Sequence, residues 1–242
     1  MSPSVESALR GGEKAMSTAV QHKQRGCSRS RARRAFTLLE TMMALVIIGV
    51  GVLAFVDAQA SFTKSNNWSS HAATGMLLAN EVREFSRRLT RHDPVTGLVL
   101  VGNGPAAVLQ GWGRETNELT VSDIDDLDDL DGVRFGLGGT YQGPIDAFGN
   151  VIPQIAPDGT IEMNGNNPVS MQGWSQRVIV QKVDPYNFNT VRDPIYQQVA
   201  TAQLPFIAVD QFPIRVTVIV EYQDPSSTQT TEVTRLTWVI SP

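Results

Sequence analysis

From Phe36 to Val56 the chain reads FTLLETMMALVIIGVGVLAFV, 21 residues with a single charge, Glu40. As a helix rising ~1.5 Å per residue, such a run is about 32 Å long, enough to cross a hydrocarbon core of ~30 Å. Arg33 and Arg34 stand just before it, separated from Phe36 only by Ala35. The anomaly is Glu40. A carboxylate at the centre of a spanning helix costs roughly 2.5–3.5 kcal/mol, and less toward an end, so its presence calls for a partner or a role.

The basic flank, a small residue, Phe36, the tetrapeptide Thr37-Leu38-Leu39-Glu40 and the apolar run follow one another in an order that resembles the processing site of type IV pilins and of the pseudopilins of type II secretion. The resemblance implies a cut between Ala35 and Phe36 by a prepilin peptidase, which also N-methylates the new N-terminus at Phe36. Glu40 then becomes the fifth residue of the mature chain, where the family keeps its Glu for subunit assembly. The departure is Ala35, where the family usually has Gly. The bland reading of the same stretch is an uncleaved signal anchor, which would make the chain a single-span, membrane-anchored adhesin or sensor.

Charge is unevenly distributed. Residues 1–35 hold 8 of the 20 basic and 2 of the 24 acidic residues, a net of +6, and the remainder carries a net of −10. A basic tail before a spanning segment orients the N-terminus to the cytoplasm and the bulk outside. An acidic exported part argues against a nucleic-acid partner, because phosphate binding needs clustered Lys and Arg. The tail has no apolar core of its own, so it is not an ordinary secretory signal. It is long for a prepilin leader, and a start at Met16 would give one of 20 residues. Cys27, the only cysteine, falls in this leader, so the mature chain is expected to hold no disulfide.

After Val56 the sequence turns polar but stays compatible with helix to about Arg91. Ala72, Met76, Ala79, Val82 and Leu89 fall at helical spacing, with Phe85 beside the stripe. SFTKSNNWSS, 61–70, is the weak section, since Ser, Thr and Asn compete for backbone hydrogen bonds and leave room for a break or frayed turn in an otherwise near-continuous helix. Asp93-Pro94 is the expected stop. Gly49 and Gly51 thin the membrane half and read equally as points of unwinding or of close helix packing.

Strands are expected at 98–102, 133–137 and 151–155. Clearer ones lie at 174–183, 214–222 and 232–240, where the last two alternate apolar and polar residues with period two, as half-buried strands do. Such a sheet needs a cover, and the amphipathic helix half is the available one. The expected fold class is α+β and pilin-like: a long N-terminal helix, membrane half plus amphipathic half, packed on a C-terminal antiparallel β-sheet. The parts are a basic leader (1–35), a transmembrane and assembly helix (36–56), its amphipathic continuation (57–92) and a β-rich exported domain (93–242).

Six aspartates crowd VSDIDDLDDLDG, 121–132. Density of that kind suits Ca²⁺, which takes carboxylate and carbonyl oxygens, but the EF-hand spacing is absent and the calcium loop of related pseudopilins does not map onto this stretch. A solvated acidic loop without a cofactor is the expectation, with Ca²⁺ the alternative. His22, His71 and His92 have no carboxylate or cysteine at ligand spacing, and neither a G-x-S-x-G elbow nor a phosphate loop is present. No enzyme and no small-molecule substrate are expected.

The resemblance implies a structural subunit of a type IV pilus or type II secretion filament. Its partners would be the prepilin peptidase, other pilins or pseudopilins, and the bacterial inner membrane, before entry into an extracytoplasmic filament. Glu40 sets the chain apart from tip-capping pseudopilins, which typically lack that Glu. A mature chain without cysteine differs from major pilins, which often carry a C-terminal disulfide. A minor pilin or minor pseudopilin is the reading that remains.

Overall fold

The computed structural model describes residues 37–242, apart from Asn103, Asn117 and the side chain of Pro105. The leader, Cys27 and the expected cleavage site Ala35–Phe36 lie outside the described residues. One helix, α1 (Leu38–Ser86), supplies all the α-helix among the described residues, and the chain divides into two compact units between Phe55 and Val56.

In the first unit every helical residue from Leu38 to Phe55 is exposed. The helix there is apolar on all sides and long enough to cross a membrane.

The second unit is built on an antiparallel sheet of order β3-β6-β8-β9, formed by β3 (Arg134–Gly136), β6 (Trp174–Asp184), β8 (Ile214–Gln223) and β9 (Thr230–Ile240), with β7 (Asn187–Val191) also pairing with β6. Two small hairpins stand apart from it, β1 (Val99–Val101) with β2 (Val108–Gln110), and β4 (Met163–Asn164) with β5 (Asn167–Pro168). Register lines up Val178, Val218 and Leu236 across three strands, and Val180, Val216 and Trp238 beside them. Leu78, Ala79, Val82 and Phe85 of α1 belong to the same core. Burying a side chain such as Leu78 or Val82 contributes about 1.5–3 kcal/mol, so this stripe is what holds the outer helix half to the sheet.

Gln176 fastens the contact from inside the core. Its Nε2 donates to the carbonyls of Leu78 (2.8 Å) and Ile145 (3.0 Å), while its Oε1 accepts from Ile145 N–H at 2.8 Å. A bulge in β9 next to the Val220–Glu221 pair leaves Val233 without a cross-strand partner. Val233 packs on the core, and its Cγ1 would lie 2.9 Å from a Cβ at Gly75. Helix and strand approach that closely only because residue 75 has no side chain.

The other face of the sheet is polar. Ile219 sits in register between Arg177 and Arg235 and is nonetheless buried. The aliphatic parts of arginine side chains can cover apolar surface of this kind while their guanidinium groups stay wet. Glu221 pairs with Arg134 and, at 3.5 Å, with Arg177. At the far end of β6, Lys182 is fully buried and donates to the carbonyls of Pro194 and Tyr196, both at 2.7 Å, pinning the loop between β7 and β8.

The helix, near-continuous as expected, runs unbroken through its weak section at 61–70, where Thr63 and Ser69 hydroxyls donate back to the carbonyls of Gln59 (3.0 Å) and Ser65 (3.1 Å) and so remain within the helical pattern. Three expectations are corrected. The helix ends at Ser86 rather than near residue 91 or 92, and the chain then turns so that Thr90 bridges Asp126. The buried stripe uses Gly75 and Leu78 where Met76 was expected, and Met76 is exposed. Residues 151–155 form isolated bridges at Val151, Pro153 and Ile155 but no strand, consistent with a proline that lacks an N–H to donate.

Candidate functional site

Two regions carry the chemistry. The first is the start of α1. Thr37 precedes the helix, and its carbonyl accepts from the N–H of Glu40 (3.0 Å) and of Thr41 (3.2 Å). The Thr37 hydroxyl also accepts from Glu40 N–H, at 3.3 Å. Thr37 is thus the N-cap and Glu40 the third helical residue, the spacing of a T-x-x-E capping box. Thr followed three residues later by Glu is a cap signal that was legible in the sequence within the same tetrapeptide. A negative side chain in the first turn also complements the positive end of the helix dipole. These bonds engage the Glu40 backbone and leave its carboxylate unoccupied, since Glu40 is exposed with no ion-pair partner among the described residues.

From Met42 to Phe55 the surface is continuous and apolar, and an added Cβ at Gly49 or Gly51 would meet nothing within 4 Å. Neither glycine is required by packing within the described chain.

The second region is the acidic segment, which is not a solvated loop. Asp126, Asp128 and Asp129 are buried, while Asp123, Asp125 and Asp131 remain exposed. Backbone bonds from Thr90 N–H to Asp125 O (3.1 Å) and from Leu127 N–H to Thr90 O (3.0 Å) tie the segment to the chain just beyond α1. His92 Nδ1 lies 3.0 Å from Asp128 Oδ1, and Asp128 Oδ2 accepts from Gly113 N–H at 3.1 Å. A sequence separation of 36 conceals the His92–Asp128 pair from any search for ligand spacing.

Burial, reinforced by the charges of Asp128 and Asp129, pushes the Asp126 carboxyl up to about 8. Burial likewise raises Glu118 to about 7, with help from Asp129 and Glu115, and raises Asp129 to about 6, with help from Glu115 and Asp128. Two groups of three carboxylates have ligand-capable oxygens within 4.8 Å of one another: Glu115, Glu118 and Asp129, and Asp125, Asp126 and Asp129.

Residues 30–56 match the prokaryotic N-terminal methylation motif. No curated protein and no solved structure matches the chain. The chain therefore carries a prepilin-type N-terminal segment leading into a long apolar helix, the build of a type IV pilin-like protein. That motif implies processing by a prepilin peptidase and assembly with pilins in general, and the apolar helix suggests anchoring in a membrane.

Proposed function

We propose that this chain is a structural subunit, a minor pilin or minor pseudopilin, of a type IV pilus or type II secretion filament. The observation that carries the reading is the methylation motif at residues 30–56, set on a helix with no partner for its apolar surface among the described residues. In this reading the subunit waits in the inner membrane with its N-terminus in the cytoplasm, is cut between Ala35 and Phe36, is methylated at Phe36, and then enters the filament. It has no catalytic task.

Glu40 is the residue through which assembly would be controlled. The freed α-amine of Phe36, with an ordinary pKa near 7.7–8.0, is largely protonated at neutral pH and stays basic after methylation. Glu40 of an incoming subunit placed against the Phe36 amine of a neighbour satisfies two charges that apolar surroundings penalise, and it fixes subunit register. Intact-mass and N-terminal peptide analysis of protein made together with its peptidase tests the reading. The expected result is a chain beginning at methylated Phe36. A chain that keeps residues 16–35 in that setting refutes it in favour of an uncleaved anchor. Subunit counts in sheared filaments test the minor role, which fails if this chain dominates.

A further inference from the structure

We propose that Glu115, Glu118 and Asp129 form a binding site for a divalent cation of the calcium class. The three side chains come from two turns of the segment between β2 and β3, and one oxygen from each lies within 4.8 Å of the others. Ca²⁺ accepts such carboxylate oxygens in flexible, irregular geometry at about 2.3–2.6 Å, whereas Mg²⁺ demands near-ideal octahedral geometry and usually keeps several waters. The donor set is all carboxylate, which suits a hard cation and disfavours zinc and copper, whose sites draw on imidazole and thiolate.

An independent observation points to a missing ligand. Asp129 is 1% exposed, and its Oδ1 has no hydrogen-bond partner. Its other oxygen, Oδ2, already accepts from the N–H groups of Asp125 and Asp126, both at 3.3 Å. A buried carboxylate oxygen without a donor is expensive, and more so beside other carboxylates. Among the described residues no Lys, Arg or His lies within ion-pair distance of Glu115, Glu118 or Asp129. Asp129 is common to both carboxylate groups, and Oδ1 is the oxygen it has left for an ion.

Glu118 is held in place by the backbone of Glu115. Its Oε2 accepts from Glu115 N–H at 2.9 Å, and Glu118 N–H donates to Glu115 O at 3.2 Å. Glu115 is only partly buried, so the site has an open side through which a hydrated ion can enter. Asp125 and Asp126 add negative charge around the same Asp129. A bound ion would tie residues 115–118 to 125–130, and through Thr90 to the chain that leaves α1.

The test uses the full chain in detergent, stripped with EDTA and then titrated with CaCl₂, MgCl₂ or ZnCl₂, with calorimetry and thermal unfolding as readouts. We expect Ca²⁺ to bind with a dissociation constant of about 1 mM or tighter, in the range of extracellular calcium modules, and to raise the unfolding midpoint. Mg²⁺ and Zn²⁺ should bind more weakly. Asp129→Asn, Glu118→Gln and the partly exposed Glu115→Gln should each weaken Ca²⁺ binding roughly tenfold or more, with Asp126→Asn well below that. Glu115→Gln keeps the test decisive if a buried variant does not fold. The proposal is overturned if the wild-type chain gives neither heat nor a midpoint shift up to about 10 mM Ca²⁺, a level that saturates even weak calcium modules. It is equally overturned if Glu115→Gln and Glu118→Gln bind as wild type does, or if zinc is preferred.

Discussion

The two halves of α1 obey opposite rules. From Leu38 to Phe55 the residues are the most apolar in the chain and all of them are exposed, whereas from Gly75 to Ser86 a mixed sequence buries one stripe completely. Hydrophobicity tells where a side chain would rather be, but the partner decides where it goes. The outer half finds its partner in β6, β8 and β9 of the same chain. The first half finds no partner among the described residues, and in the proposed reading a bilayer and then other subunits supply one. A substitution in one half should therefore be read by folding, and in the other by assembly.

The largest effect is expected at Glu40. Glu40→Gln and Glu40→Ala should insert, fold and be cleaved normally, yet reach filaments at roughly a hundredth of the wild-type level or less, because removing one member of a buried pair strands the other. Co-purification with neighbouring pilins measures it. Wild-type association would mean that Glu40 merely snorkels to the membrane interface and plays no part in register. Urea unfolding of the second unit should not change.

Leu78→Ala inverts that pattern. Leu78 is 1% exposed, and its carbonyl receives the Gln176 amide. Its truncation should lower unfolding stability by about 2–5 kcal/mol, the usual range for a buried Leu, while peptidase cleavage proceeds. Gln176→Leu should follow at about 1–3 kcal/mol, since Ile145 N–H would then lie buried without an acceptor. Unfolding followed by tryptophan fluorescence checks both.

A pH profile separates the units in another way, because the shifted groups that bear on it lie in the second. Glu118, Asp126 and Asp129 have folded values of about 7, 8 and 6, above their ordinary values near 4. The folded state therefore holds more protons than the unfolded one between about pH 4 and 8, and stability falls as pH rises through that window. Lys182 acts in reverse. Burial lowers it from 10.5 to about 8, so its penalty is full below 8 and is relieved as pH climbs toward 10.5. In chelator the unfolding midpoint should be lower at pH 8 than at pH 5.5 by several degrees, and should partly recover above it. Asp126→Asn should flatten the acid limb, and an unchanged slope would show that these carboxyls are ionised in the folded state.

What was legible in the sequence follows the same division. The prepilin segment is a local pattern and could be read directly, as could β6, β8 and β9, whose apolar runs are long. Gly75 in place of Met76 could not be read, because it depends on how closely Val233 approaches, and that depends on a bulge with no distinctive sequence. The buried face of β8 misled differently. Thr217, Ile219 and Glu221 alternate as a solvent face should, but strands on both sides and the cover of Arg177 and Arg235 bury them. The aspartates near residue 126 looked solvated for the same reason, since density of charge in sequence says nothing of what folds over it.

The smallest expected effect gives the finest test, because it makes one substitution in both halves. In an exposed helix Ala is better than Gly by about 0.8–1.0 kcal/mol. At Gly75 the new methyl would stand 2.9 Å from Val233 Cγ1 and 3.0 Å from the Thr234 hydroxyl, and overpacking of this kind typically costs about 1–3 kcal/mol, so Gly75→Ala should be a net loss of about 1 kcal/mol. At Gly49 nothing lies within 4 Å, so Gly49→Ala should leave unfolding of the second unit untouched. Any defect it shows must arise against another chain, and its form identifies the cause. If a neighbouring helix packs on Gly49, incorporation falls in steps from Gly to Ala to Leu as the side chain grows. If the glycine is there to let the helix unwind, Ala and Leu do equal harm, because either removes the same backbone freedom. We expect the graded series, since α1 is unbroken through Gly49 and Gly51. Equal losses in quantitative pull-downs of the two variants would decide for unwinding.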